Sequence, residues 1–390
     1  MRTALHERRG RGELLAAITV GLLIVATLAA VGSSAQAATR PSHNASNACA
    51  AQVRLPGHVG RLGGITRAVS TRSGCVHNTG DPAGGTPPLL FHGGPVMDTR
   101  NTGPLVIRPI FWTPKHHRIA PAYKSIIKQY LGDVAAASGQ HTNVFSTLTE
   151  YFGSNGGNIR YNVKVRPGIN DVHALPASGC TVESVDRANV YADASGYNRC
   201  VDDDQVIAET DRIVSNWHLP RDYAHIYVMF LPKHVMSCFY PGATNTSDNF
   251  CTINHLPSAA YCAYHSQAPS GSVYANMPFP IYDSSIGYTC GSDASFPDVQ
   301  TPNGNADADT EISPTSHEIM EAVTDPDVNT GWYDSSGFEN GDECAYVYGV
   351  TQGATGSMYN QVINGHNYLT QEEFSNLDFA STGGGCLQGE

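Results

Sequence analysis

His317, Glu318 and Glu321 stand together in the run HEIME, inside PTSHEIMEAVTDP at 314–326. On a helix, His317 and Glu321 are one turn apart and share a face, so an imidazole and a carboxylate point the same way. A zinc-peptidase helix carries HExxH, two histidine ligands with a glutamate that polarises metal-bound water. Here the second ligand position is a glutamate. The predicted chemistry is a divalent-metal site with one ligand exchanged. His317 and Glu321 would bind the ion, and Glu318 would be the base acting on bound water. A third ligand must come from another element. FENGDEC offers two, Glu339 lying 18 residues after Glu321 and Asp342 lying 21 after. Such a set balances a divalent charge, but it makes bound water less acidic than a histidine-rich set does. Zinc is the expected ion, and oxygen-rich ligation also suits manganese or calcium. The alternative is a His–Glu pair on the surface of an acidic helix.

The charge distribution bears on that choice. Net charge is −12, yet the last lysine or arginine is Lys233, and the 157 residues after it hold 19 Asp and Glu. Carboxylates crowded without basic partners repel one another unless something cationic sits among them. A bound metal would supply that charge; a solvated acidic surface is the competing explanation. Nucleic acid is excluded as a partner for such a surface. Two further acidic runs alternate their oxygen side chains as calcium loops do: Asp307, Asp309 and Glu311, then Asp325, Asp327 and Asn329. The second lacks the glycine and terminal glutamate of an EF-hand. His265, in YCAYHS, is assigned a structural role beside a disulfide in preference to a ligand role.

The elements that must position these residues follow from periodicity. LVIRPIFW (105–112) is a strand, with Pro109 placing it at an edge or bulge. Tyr123, Ile127, Tyr130, Leu131 and Val134 recur at helical spacing, and Phe145, Leu148 and Phe152 mark a short second helix. IRYNVKV (159–165) alternates as a half-buried strand, and DDDQVIAETDRIVSNW (202–217) is a helix with acids at its N-terminus. AHIYVMFL and SVYANMPFPIY follow as strands. The HEIME helix starts at Ser313–Pro314–Thr315 with Thr315 and Glu318 at capping-box spacing, and stops before Pro326 after about ten residues. This order predicts an α/β (α+β) fold, a mixed sheet with packed helices, zincin-like and disulfide-bonded. Near the end, His366, Gln371 and Glu372 fall in a closing hairpin held by Cys386.

Residues 1–37 have the form of a secretory signal peptide: four arginines, the apolar run LLAAITVGLLIVATLAAVG, then small residues up to Ala37. An uncleaved anchor is the alternative. Residues 38–102 read as an extended Gly/Pro-rich arm, and 103–390 as a single domain. The chain is therefore expected outside the cell, with no stable membrane insertion after cleavage. All ten cysteines lie beyond Ala37. Nearest-neighbour disulfides are expected, Cys344–Cys386 foremost. There is no G-x-S-x-G elbow and no GxxxxGK loop.

The run T-S-H-E-x-x-E-x-x-T-D-P (315–326), Trp332–Tyr333, Glu339, Asp342, Cys344 and Cys386 together resemble the secreted EXORDIUM / phosphate-induced protein family. The C-x-x-H at Cys262 and His265 and the early region ending in EYF resemble it too. The resemblance runs from about 103 to 390 and implies an exported protein of the wall or extracellular space, without assigning catalytic residues. Three functions stand. The first is a secreted metal-dependent, peptidase-like hydrolase acting on extracellular peptide or protein. The second is a non-catalytic wall-associated protein with a structural cation site. The third is a protein acting on or binding cell-wall carbohydrate.

Overall fold

Alternation along six strands decides which side chains meet which helix. In the computed structural model, residues 85–390 are described apart from 179, 181–198, 239–251, 253–260, 284–286, 289, 293–295, 297 and 329. The strands are β1 (Leu105–Trp112), β2 (Val163–Val165), β3 (Ile169–Asp171), β4 (His225–Phe230), β5 (Tyr264–Gln267) and β6 (Val273–Met277). They form one sheet in the order β5-β6-β4-β1-β2, with β3 also pairing with β1. All neighbours are parallel except β5, which runs antiparallel to β6 at the edge.

Successive side chains of a strand point to opposite faces. Ile107, Phe111, Ile226, Val228, Phe230, Ala275 and Met277 share one core with helices α1 (Pro121–Ala136) and α3 (Ala306–Thr324). Ile110, Trp112, Tyr227, Met229 and Tyr274 share another with α2 (Asp203–Asn216). The result is the expected mixed α/β architecture, a sheet between helical layers. α2 begins where the sequence indicates: the Asp202 carboxylate accepts from Gln205 N at 3.0 Å and Gln205 Oε1 accepts from Asp202 N at 3.1 Å.

Disulfides join Cys180–Cys200, Cys262–Cys290 and Cys344–Cys386, the nearest-neighbour pattern, and Cys238 is disulfide-bonded too. The expected Cys49–Cys75 bridge, the signal peptide and the arm as far as residue 84 lie outside the described residues. Among the described residues no helix is long and apolar enough to cross a membrane.

Four expectations are corrected. β1 lies inside the sheet, not at its edge. Pro109 is accommodated because it stands between the stretch of β1 paired with β2 (105–107) and the stretch paired with β3 (110–112). Of IRYNVKV only Val163–Val165 is laddered, although Ile159, Tyr161 and Val163 are all buried. The domain begins before residue 103: Leu89, Val96 and Met97 are core residues, and Leu90–Phe91 pairs with Trp332–Tyr333. The HEIME helix is also longer than expected, with 19 residues and Pro314 in its interior. The start comes from Asn305, whose side chain accepts from Ala308 N at 2.9 Å. Asp307 and Asp309 then lie in the first turn, where the helix dipole favours them.

Candidate metal centre

α3 runs beneath the β5–β6 edge of the sheet, and its last two turns are buried throughout. The short helix α4 (Asn340–Glu343) packs against it. Thr324 Oγ1 donates to Asn340 Oδ1 at 3.1 Å, which ties the end of α3 to α4. Gln371 Nε2 donates to Gly341 O at 2.7 Å, and the Cys344–Cys386 disulfide closes the same corner. Gly341 has a steric reason: a Cβ there would lie 2.5 Å from His317 Nδ1. The α4 backbone therefore lies directly against the imidazole.

His317 and Glu321 do share a face. His317 Nε2 lies 2.9 Å from Glu321 Oε1 and 3.8 Å from Asp342 Oδ1. The 2.9 Å contact lacks hydrogen-bond geometry, and neither ring nitrogen of His317 has a hydrogen-bond partner among the described residues. Glu321 Oε1 does accept from Asp342 N at 3.0 Å. His317, Glu321 and Asp342 thus bring ligand atoms within 4.8 Å of one another. His317 and Glu321 are 0% exposed and Asp342 4%. The surface-pair alternative is thereby removed.

A second convergence shares Glu321. His265 Nδ1 is 3.4 Å from Glu318 Oε2 and 3.7 Å from Glu321 Oε2, and these three residues also form a group within 4.8 Å. His265 Nε2 lies 3.1 Å from the Asp325 carbonyl and 3.7 Å from Glu339 Oε2. The two downstream acids singled out in the sequence therefore separate: Asp342 faces His317 and Glu339 faces His265. Glu318, the expected base, lies beside His265. His265 itself is the residue that sequence reasoning set aside. Alternation in YCAYHS sets His265 opposite Tyr264, but only the packing of Tyr264 with the α2 core turns His265 toward α3.

Burial governs the electrostatics here. It raises the Glu321 carboxyl well above its usual range, and the carboxylates of Glu318 and Asp325 raise it further, against the Asp342 amide. Burial likewise raises Asp342, helped by Glu321. Glu343 is pushed up to about 10 by burial and by Asp334 and Asp342. Burial lowers His265 to about 3. Among the described residues the ion-pair partners of Glu321 and Asp342 are histidines, not lysine or arginine. Buried carboxylates of this kind either hold protons or surround a cation.

The remaining candidates fall elsewhere. Asp307, Asp309 and Glu311 lie within α3, so they do not form a calcium loop. The Asp309 carboxylate accepts from the Asn303 side chain at 2.7 Å and from the Asn305 amide at 3.2 Å. Asn329 lies outside the described residues. His366 pairs with Asp133 of α1 at 2.7 Å, away from the centre. An open cavity of about 470 Å³ lined by Arg108, Arg166, Trp217 and Tyr227 contains none of the metal-ligand candidates.

Protein EXORDIUM-like 3 of Arabidopsis thaliana is 25% identical over 301 residues, covering 72% of this chain and 75% of the relative. Protein EXORDIUM-like 5 of the same plant is 23% identical over 298 residues, covering 70% and 68%. No family model matches, and no solved structure matches. The chain is thus similar to EXORDIUM-like proteins over about 70% of its length.

Proposed function

We propose that this EXORDIUM-like chain acts outside the cell and is organised around a divalent cation held by His317, Glu321 and Asp342. The observation that carries the reading is the convergence of these three side chains at a buried point where Glu321 and Asp342 have only histidines as ion-pair partners among the described residues. The disulfides and the relatives fit an extracellular location. Structural metal sites are closed, whereas catalytic ones keep an open position. With His317 and Glu321 wholly buried, a structural ion is the better supported role. It would hold α3 against α4 and the C-terminal disulfide corner. Elemental analysis of the purified protein tests this: at least one zinc, manganese or calcium per chain is expected, and metal-free protein of unchanged stability would refute it.

One feature favours a second reading, a zincin-like hydrolase. Glu318 follows a proposed ligand directly, occupies the base position of HExxH, and lies beneath an antiparallel edge strand, β5. A base role predicts that Glu318→Gln abolishes peptide hydrolysis while leaving the His317 ion bound. Wild-type protein with metal but no hydrolysis across a broad peptide library would leave the structural role alone.

A further inference from the structure

Glu321 turns its two oxygens to different histidines. Oε1 lies 2.9 Å from His317 Nε2, and Oε2 lies 3.7 Å from His265 Nδ1. Resting on the single-ion reading above, we propose that the centre is dinuclear. A second divalent cation is held by His265 Nδ1, Glu318 and Glu321, and Glu321 bridges the two ions.

The tautomer of His265 carries the argument. A backbone carbonyl can only accept, so the 3.1 Å contact with Asp325 O puts the proton on Nε2. Nδ1 then presents a lone pair, and it presents that lone pair to two carboxylate oxygens, of Glu318 and Glu321. Three electron-rich atoms converge on one point. The Nε2–H···O=C bond is also the usual support behind a metal-bound histidine, fixing the ring so that its other nitrogen faces the ion. Glu339, near the same Nε2, helps to position the ring and is not a ligand of the His317 ion.

Glu321 supplies the second, independent observation. Its Oε2 is buried and has no hydrogen-bond partner among the described residues. A single ion at His317 engages Oε1 and leaves Oε2 facing Nδ1. A second ion engages both. The spacing suits small divalent ions. Donors about 2.1 Å from a tetrahedral ion lie about 3.4 Å from each other. The separations across the second group are 3.4 Å and 3.7 Å. Carboxylate-bridged pairs hold their ions about 3.5–4 Å apart. Mixed imidazole and carboxylate donors suit zinc or manganese.

Counting ions separates this proposal from the one it rests on. The protein is stripped with EDTA, then titrated with Mn²⁺, with bound metal measured by elemental analysis and electron paramagnetic resonance. Two equivalents per chain and a spin-coupled spectrum are expected. His265→Gln is expected to bind one equivalent with an uncoupled spectrum. Saturation of the wild type at one equivalent overturns the dinuclear centre and leaves the single-ion reading standing, while zero equivalents overturns both. Two equivalents retained in His265→Gln would overturn the assignment of His265. The wild-type count and coupling decide the matter even if the variant fails to fold.

Discussion

Around Arg212, two carboxylates share one guanidinium. Nη2 lies 2.7 Å from Asp171 Oδ1, and Nε donates to Glu209 Oε1 at 2.8 Å. His173 Nδ1 adds a contact to Glu209 Oε2 at 2.9 Å. Around Glu321 the carboxylates are buried more deeply, and the sequence supplies no lysine or arginine after Lys233. The contrast shows in protonation. Burial raises the Glu209 carboxyl, but its bonds to Arg212, Asp171 and His173 outweigh that and hold it below the usual range. Glu321 and Asp342 are held well above theirs. The α2 corner carries its own cation covalently. The α3–α4 corner, in the function proposed here, takes its cation from solution. Stability there becomes conditional on an ion, whereas at α2 it is conditional on one arginine.

Chelation should separate the corners most strongly. A ligand at a hundred times its Kd stabilises by about 2.7 kcal/mol. For a domain of this size that corresponds to a fall in Tm of about 4 °C on ion removal. Hydrogen exchange should show amide protection lost along α3 and α4 and kept along α2. Uniform loss, or none, would break the comparison.

Arg212→Gln should do the reverse. Removing one partner of a buried pair costs about 3–5 kcal/mol. The Arg212 side chain is 32% exposed, so about 2–3 kcal/mol is expected from urea unfolding. Bound metal per chain should not change. A variant that loses metal would mean the two corners are coupled.

The smallest effect is in pH dependence. Asp171 is raised to about 6, by burial first and then by Glu209. Between its unfolded value of 3.8 and about 6 the folded protein keeps a proton that the unfolded chain has released. This contribution is therefore full below 3.8 and is lost as pH rises through 6. Glu209, depressed, slopes the other way: its contribution is present above 4.5 and lost as pH falls. Asp171→Asn should remove the first slope and leave the second, so stability should rise with pH up to about 4.5 and then level off instead of falling toward pH 6. Urea midpoints measured across the window, parallel to wild type, would show that Asp171 does not titrate there.

Much of the scaffold was legible. α1, α2 and β4 follow from periodicity and caps, because each buries one stripe or run against a neighbour. The shared face of His317 and Glu321 follows from helical geometry alone. The length of α3 was not legible. Pro314 marks a helix start in isolation, but Asn305 caps earlier, and tertiary burial of the following turns keeps the proline inside. His265 was given no place in the cluster because a local pattern cannot say what a strand faces. Its pairing with Ala275 of β6, 10 residues away, sets that face. Glu339 and Asp342 were indistinguishable by spacing, since both reach the end of α3. Only the turn of α4, pressed against His317 at Gly341, sends them to different histidines.

The order of residues was enough to establish the mixed α/β class, the even count of cysteines, the absence of basic residues after Lys233 and the juxtaposition of one imidazole with one carboxylate. Those are local or compositional properties, set by 3.6-residue and 2-residue periods and by counting. The tertiary structure decided that the cluster is buried, that His265 joins it and that Glu321 faces two ways. Each of those depends on contacts between segments tens of residues apart, whose relative placement no local period encodes.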